Sequence, residues 1–440
     1  MNSLSNASKA AAMEAKRDWR FFLQRPVLVI FFLGFSGGLP FPLVYATLTA
    51  WLEDAAIQRS TISTFAWLGF AYSFKFLWSP LVDTMSLPLL TRWLGRRRAW
   101  LFVSQLALGA SIFVLASIDP SQEIAAFAFV AIAVAFLSAT QDIVIDAYRI
   151  ESVGQELQSV LAASYQYGYR IGVLVATAGA FLIADYGSWS TTYQVMAGFM
   201  LVGLVTTLLC HEPDSVVQTV TEEAGSALQR LGRWLAFAVV EPLADFFRRY
   251  RGWGFVLLAF IASFHVSDRV LGILANPFYL DVGYTKTEIG SVAKLYGFWV
   301  SMLGVAVGAA ASVKFGLSRC IVLAPIFVVS TNLFFLAIVL TGPNLSMLAL
   351  TISVDNFALG FGSTIMIAFM SSLINVSFTA TQYALLSSIS TFFGKLFAGY
   401  SGDVQEMTGW FNFFLYAAAT GVPAIVLATI VAWKHPKDAS

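Results

Sequence analysis

The stretch Phe74-Lys75-Phe76-Leu77-Trp78-Ser79-Pro80-Leu81-Val82-Asp83, followed by Leu94-Gly95-Arg96-Arg97-Arg98, decides how the rest of the chain is read. An apolar segment closes on an acidic residue, and a glycine with three arginines precedes the next apolar segment. Both segments, about 60–82 and 99–118, have the roughly 20 residues a helix needs to cross a bilayer. Arginines clustered between two such segments mark a loop on the side of the membrane that retains positive charge.

Outward from this loop lie ten more apolar segments, at about 27–50, 123–147, 158–184, 190–210, 253–280, 288–311, 319–341, 345–374, 382–402 and 410–433. Solid apolar runs fit helices, since a membrane barrel shows only weak alternation over about ten residues per strand. Composition agrees. Hydrophobic residues make up 58% of the 440 residues, charged residues 12%, and mean hydropathy is +0.74. A soluble domain has about 25% charged residues, so a soluble enzyme is excluded, as is a disordered chain. A net charge of +1 leaves no footprint for nucleic acid. Cys210 and Cys320 sit at the ends of apolar runs and offer neither a disulfide framework nor metal-ligand spacing. The expectation is an all-α polytopic membrane protein with twelve transmembrane helices in two six-helix bundles, a monomer, with no metal and no cofactor.

The expected division is a tail at 1–26, a bundle at 27–210, a central loop at 211–252, a second bundle at 253–433 and a tail at 434–440. The polar, basic start carries no small-residue cleavage site after its apolar run and does not read as a secretory signal. Over 227–251, Trp234, Phe237, Phe246 and Phe247 mix with charges, which predicts an amphipathic helix at the membrane surface. A plain solvated linker is the alternative. On twelve spans, 19 of the 26 Lys and Arg fall on the side of the termini, Arg149 among them, and only Arg59 and Lys286 on the other. Both termini are therefore expected in the cytoplasm.

Five basic residues remain inside spans: Lys75, Arg170, Arg269, Lys294 and Lys395, with Asp142, Asp146, Asp268 and Asp355 for company. A charge at mid-bilayer costs about 2.5–3.5 kcal/mol, so each is a candidate for function. Asp142 and Asp146 are four apart and share a helix face, where like charges repel; such a pair suits proton uptake. Asp142 and the neighbouring Gln141 lie deeper, whereas Asp146 and Arg149 also fit a surface ion pair. Arg170 has a planar fork suited to carboxylate or phosphate, with Tyr165, Gln166, Tyr167 and Tyr169 beside it to stack on and read hydroxyls. A bridge to Asp142 or Asp146 is the structural alternative. Lys75, among aromatic residues, faces a cavity or a carboxylate. Asp268 lies between His265 and Arg269 and is the first choice for proton coupling, Asp142 the second. Lys294 and Lys395 can balance Asp268 and Asp355, and Gly360 and Gly362 after Asp355-Asn356 allow close helix approach.

Gly37-Gly38-Leu39-Pro40-Phe41-Pro42 predicts a broken first span, a feature of transport sites as well as of packing kinks. No phosphate-cradling loop for ATP is present, nor any His/Glu metal spacing or Ser–His pair, so no enzyme is expected.

Asp83 with Gly95-Arg96-Arg97-Arg98 resembles the loop signature of the major facilitator superfamily, and Gly308, Lys314, Gly316 and Arg319 echo it without the acid. Such a cluster can pair with helix C-termini and a carboxylate in one conformation only, and so bias a gate, or it can be a plain positive anchor. Phe35-Ser36-Gly37-Gly38-Leu39-Pro40, the stretch 74–83, Ser138-Ala139-Thr140-Gln141-Asp142-Ile143-Val144-Ile145-Asp146-Ala147 and Ala380-Thr381-Gln382-Tyr383-Ala384-Leu385-Leu386-Ser387-Ser388 resemble the AmpG-type muropeptide permeases. The resemblance implies proton-driven import of anhydro-muropeptides, a sugar-peptide substrate, across the bacterial inner membrane, in peptidoglycan recycling and β-lactamase induction. It also implies that Lys75, Gln141, Asp142, Asp268, Lys294, Asp355, Asn356 and Lys395 stand where such proteins keep polar groups. A carrier for a siderophore or an acetyl-CoA-like conjugate is one alternative, and a non-transporting sensor of wall fragments another.

Overall fold

The computed structural model describes residues 24–213 and 240–434, so both tails and the first half of the expected surface helix lie outside the described residues. In chain order the long elements are α1 (Arg25–Asp54), α2 (short helical pieces over 59–84), α3 (Arg96–Ala116), α4 (Ile124–Glu151), α5 (Gln158–Tyr186) and α6 (Trp189–Leu209). Then come α7 (Trp253–Val282), α8 (Ile289–Phe315), α9 (Leu317–Thr341), α10 (Leu345–Ser372), α11 (Thr379–Ala398) and α12 (Ser401–Lys434). Ten of these, all but α2 and α11, are long and apolar enough to cross a membrane.

α2 is broken for a local reason. Ser and Thr hydroxyls donate back to carbonyls three or four residues earlier, Thr64 to Thr61 (2.7 Å), Ser79 to Phe76 (3.0 Å) and Thr84 to Pro80 (2.8 Å). That competes with the helical ladder, and Pro80 removes a further donor. The result is two tight 3-10 turns, Phe65–Leu68 and Lys75–Leu77. α11 is continuous but carries Thr381, Gln382, three serines and Lys395.

The described chain forms two compact units. Unit 1 holds the residues up to Gly154, Ser164–Asp245 and Ile374–Leu385; unit 2 holds Gln155–Ala163, Phe246–Leu373 and the residues from Leu386. The units follow the two halves of the sequence except that the starts of α5 and α11 are exchanged.

The first span breaks later than its glycines suggest. Leu39 keeps helical angles, and the helix is interrupted at Val44–Tyr45, after Pro40 and Pro42 have removed two donors. The glycines serve contact instead. A Cβ on Gly34 or Gly38 would strike the backbone of Tyr165 or Tyr169, and one on Gly168 or Gly172 that of Phe31 or Phe35. Two glycine pairs, each four apart, thus let α1 and α5 touch through their backbones. In unit 2, Gly304 and Gly360 do the same for α8 and α10.

The units share a plan. Trp189 at the start of α6 donates to Asp54 at the end of α1 (2.7 Å), and Trp410 of α12 donates to Asp281 at the end of α7 (3.2 Å). Each apolar core is aromatic nearby, with Trp51, Phe127 and Tyr193 in unit 1 and Phe278, Phe335 and Phe414 in unit 2.

Candidate functional site

In unit 1 the polar groups gather on α4. The second 3-10 turn of α2 swings Lys75 inward, and its Nζ lies 3.7 Å from an Asp146 oxygen. The other Asp146 oxygen is 3.5 Å from Arg149. Arg149 is fully buried, with its guanidinium 5.3 Å from the Tyr383 ring centroid. The Asp146–Arg149 pair is therefore internal, not a surface pair, and Arg149 is no loop residue, because α4 continues to Glu151.

Asp142 is buried, and its Oδ1 has no hydrogen-bond partner. A Cβ at Gly37 would sit 3.3 Å from that oxygen and 3.6 Å from the Tyr165 hydroxyl, so the glycine leaves room where α1, α4 and α5 converge. Tyr165 and Tyr169 lie tilted against each other with ring centroids 5.7 Å apart, and Phe41, Tyr45 and Tyr72 form a second aromatic group at 4.7–6.1 Å. The α2 side is pinned by Tyr72 to Ser138 (2.9 Å) and Trp78 to Thr140 (3.1 Å). Gln141 points the other way. It is fully buried and accepts from Ser36 at 3.4 Å inside the bundle. Arg170 lies beside Tyr167 on α5 and is partly buried.

Unit 2 has a matching polar face. α7 is interrupted at His265, which sequence reading missed. There His265 Nδ1 lies 3.4 Å from Asp268, whose Oδ1 has no hydrogen-bond partner. Among the described residues, His265 is the basic side chain within 4 Å of Asp268, and neither Arg269 nor Lys294 comes that close to it. Arg269 is exposed and packs on Gly394, next to the exposed Lys395. The Thr331 hydroxyl donates to the Val328 carbonyl of its own helix at 2.8 Å, and Asn356, next to Asp355, turns back to the Ile352 carbonyl at 3.2 Å. Lys294 is exposed on the π-helical start of α8, Ile289–Tyr296; such irregular turns are frequent at functional sites.

The loop quoted at the outset forms a dense polar cluster in unit 1. Arg97, fully buried, donates to Asp83 (2.8 Å) and to both oxygens of Glu151. Arg96 donates to the Asp83 carbonyl, and Arg98 to the carbonyls of Thr207 (2.9 Å) and Leu208 (2.7 Å) at the C-terminus of α6. Asp83 also accepts the amides of Ala380 (3.1 Å) and Thr381 (2.7 Å) and the Thr381 hydroxyl (2.8 Å), so it caps the N-terminus of α11. Glu212 accepts the amides of Arg97 (2.7 Å) and Arg98 (3.0 Å), capping α3. Burial pushes the Glu212 carboxyl up, against the pull of those two amides. Gly95 has φ 88°, ψ 172°, and its echo Gly316 has φ 85°, ψ 149°, a region open in practice only to glycine. Glu151, Glu212 and Thr381 were not foreseen as members. Their only signal is position, an acid or hydroxyl at a helix end.

The Major Facilitator Superfamily model matches residues 27–399. A Rickettsia conorii protein named putative transporter AmpG 4 is 33% identical over 93% of this chain and 96% of its own length. The anhydromuropeptide permease of Escherichia coli K12 is 32% identical over 93% of this chain and 80% of its own length. Among solved structures, the proton:xylose symporter XylE with 6-bromo-6-deoxy-D-glucose bound has the same fold, with a TM-score of 0.65 at 13% identity over 93% of this chain and 95% of that one. The chain is a multi-pass membrane transporter of the major facilitator superfamily, related over nearly its full length to the AmpG-type permeases, and not an enzyme.

Proposed function

We propose that this transporter imports anhydro-muropeptides, sugar-peptides from the cell wall, driven by the proton gradient across a bacterial inner membrane. It does so as a monomer with twelve spans and cytoplasmic termini. The observation that carries this reading is that, among the described residues, each unit buries one aspartate oxygen without a hydrogen-bond partner, on Asp142 and on Asp268, beside basic and aromatic groups. A bare carboxylate oxygen at membrane depth is costly. Protonation relieves the cost, so occupancy by a proton can depend on the conformation. Asp268, at a helix interruption and paired to His265, is the first choice for coupling, and Asp142 the second. Tyr165, Tyr169 and Arg170 offer rings and a guanidinium to a disaccharide, while Arg269, Lys294 and Lys395 offer cations to peptide carboxylates. Asp355 and Asn356 line the same polar face of unit 2, and Gln141 acts from within the bundle on Ser36 of α1. Asp83, Gly95, Arg96, Arg97 and Arg98 form the gate element, since Asp83 grips the first turn of α11. The relative named anhydromuropeptide permease supports the substrate class.

The test is uptake of labelled anhydro-muropeptide by vesicles carrying the protein, with and without an imposed pH gradient. Accumulation that needs external acid and is lost in Arg170→Ala supports the reading. Absence of uptake at normal membrane expression refutes it.

A further inference from the structure

The short helix Glu241–Tyr250 ends in Arg248 and Arg249, both exposed, and the exposed Arg251 follows with a φ of 50°. Two residues later Trp253 opens α7, and the Nζ of Lys434, the last residue of α12, lies 4.5 Å from its ring centroid. Arg249 donates to the carbonyl of Leu373, which ends α10 (2.9 Å). Three helix ends of unit 2 therefore meet at one place, and four cations gather there.

Along α7 and α12 from this point the surface changes character. Phe255 is 67% and Trp433 82% exposed, and Ile430 and Val426 continue the outward apolar stripe. In a membrane transporter such a stripe faces acyl chains. The cations stand at its edge, at headgroup depth, and Trp253 and Trp433 are the amphipathic rings found at that boundary. These residues take no part in the proposed transport site.

We propose that this end of unit 2 binds an anionic phospholipid. Arg248, Arg251 and Lys434 hold its phosphate, and an acyl chain lies along Phe255 and Trp433. Guanidinium and ammonium groups at the bilayer surface attract anionic headgroups by about 1 kcal/mol each, roughly fivefold in affinity per cation. A lipid held there ties the first helix of the unit to its last.

The experiment follows thermal unfolding of the full chain in neutral detergent, titrated with phosphatidylglycerol or phosphatidylcholine. Phosphatidylglycerol is expected to raise the midpoint and phosphatidylcholine to leave it unchanged. In the triple variant Arg248→Gln/Arg251→Gln/Lys434→Gln the same rise should need at least about tenfold more phosphatidylglycerol. The charge-keeping Arg248→Lys/Arg251→Lys should stay within about threefold of the unaltered protein. Should the triple variant not fold, the unaltered protein alone decides: its phosphatidylglycerol response should weaken between 50 and 500 mM salt, as screening requires. Equal responses to the two lipids, an unchanged response in the triple variant, or a response indifferent to salt would each overturn the proposal. So would inorganic phosphate reproducing the rise at equal concentration, which would assign the site to a soluble anion.

Discussion

Replacing Asp83 by alanine tests the polar cluster most directly. Its carboxylate accepts two amides and a hydroxyl from the first turn of α11, at 2.7–3.1 Å, and the Arg97 guanidinium at 2.8 Å, in a site where Arg97 is wholly buried. Loss of a helix cap costs about 1 kcal/mol, and loss of hydrogen bonds to a charged group about 1.5–3 kcal/mol. Arg97 keeps Glu151, so the 3–5 kcal/mol of a fully stranded buried charge is approached but not reached. A net cost of about 3 kcal/mol follows, which is about 150-fold in an equilibrium. Amide hydrogen exchange reads it locally. Peptides holding Ala380 and Thr381 should exchange about 100-fold faster in Asp83→Ala, while peptides from the core of α9 keep their rates. Asp83→Asn retains an acceptor without the charge and should fall between. Exchange at Ala380 and Thr381 within threefold of the unaltered protein would refute the capping role.

Asp268→Asn keeps the shape and removes the titration, so it should abolish pH-driven accumulation and leave downhill exchange; accumulation against a gradient in that variant would move the coupling to Asp142. Gly38→Ala forces a methyl into the Tyr169 backbone, and overpacking of this kind costs about 1–3 kcal/mol, visible as a lower unfolding midpoint in detergent. Gly198→Ala, with open space around it, is the matched control and should not shift it. Glu212 gives a pH signature. Its carboxyl is raised by burial, so the folded state holds the proton more tightly, and its contribution to stability is full below the ordinary carboxylate range and declines as pH rises through the raised value. Glu212→Gln should remove that slope, seen by measuring the midpoint between pH 4.5 and 7.

Much of this protein is determined by one-dimensional pattern. Segment length and the scarcity of charge settle that the chain is a helical membrane protein, because backbone groups in a bilayer must be satisfied within the segment. The arginines after Gly95 locate a loop, and Asp142 and Asp146 share a face because a helix turns every 3.6 residues. The echo at Gly316 is likewise written in the sequence and appears as the same backbone angles. What pattern cannot supply is partnership between residues far apart in the chain. Arg149 reads as a loop cation, yet the length of α4 and the approach of Tyr383 bury it. Gln141 and Asp142 are neighbours, but 100° of helical rotation sends one to Ser36 and leaves the other's oxygen bare. Gly37 and Gly38 look like helix breakers, and only the crossing with α5 makes one of them a contact and the other a space for a carboxylate. The interruption at His265, and with it the partner of Asp268, has no proline or glycine to announce it. Local propensity acts over a few residues, whereas these arrangements depend on which helices touch, and that is decided by the packing of the whole bundle.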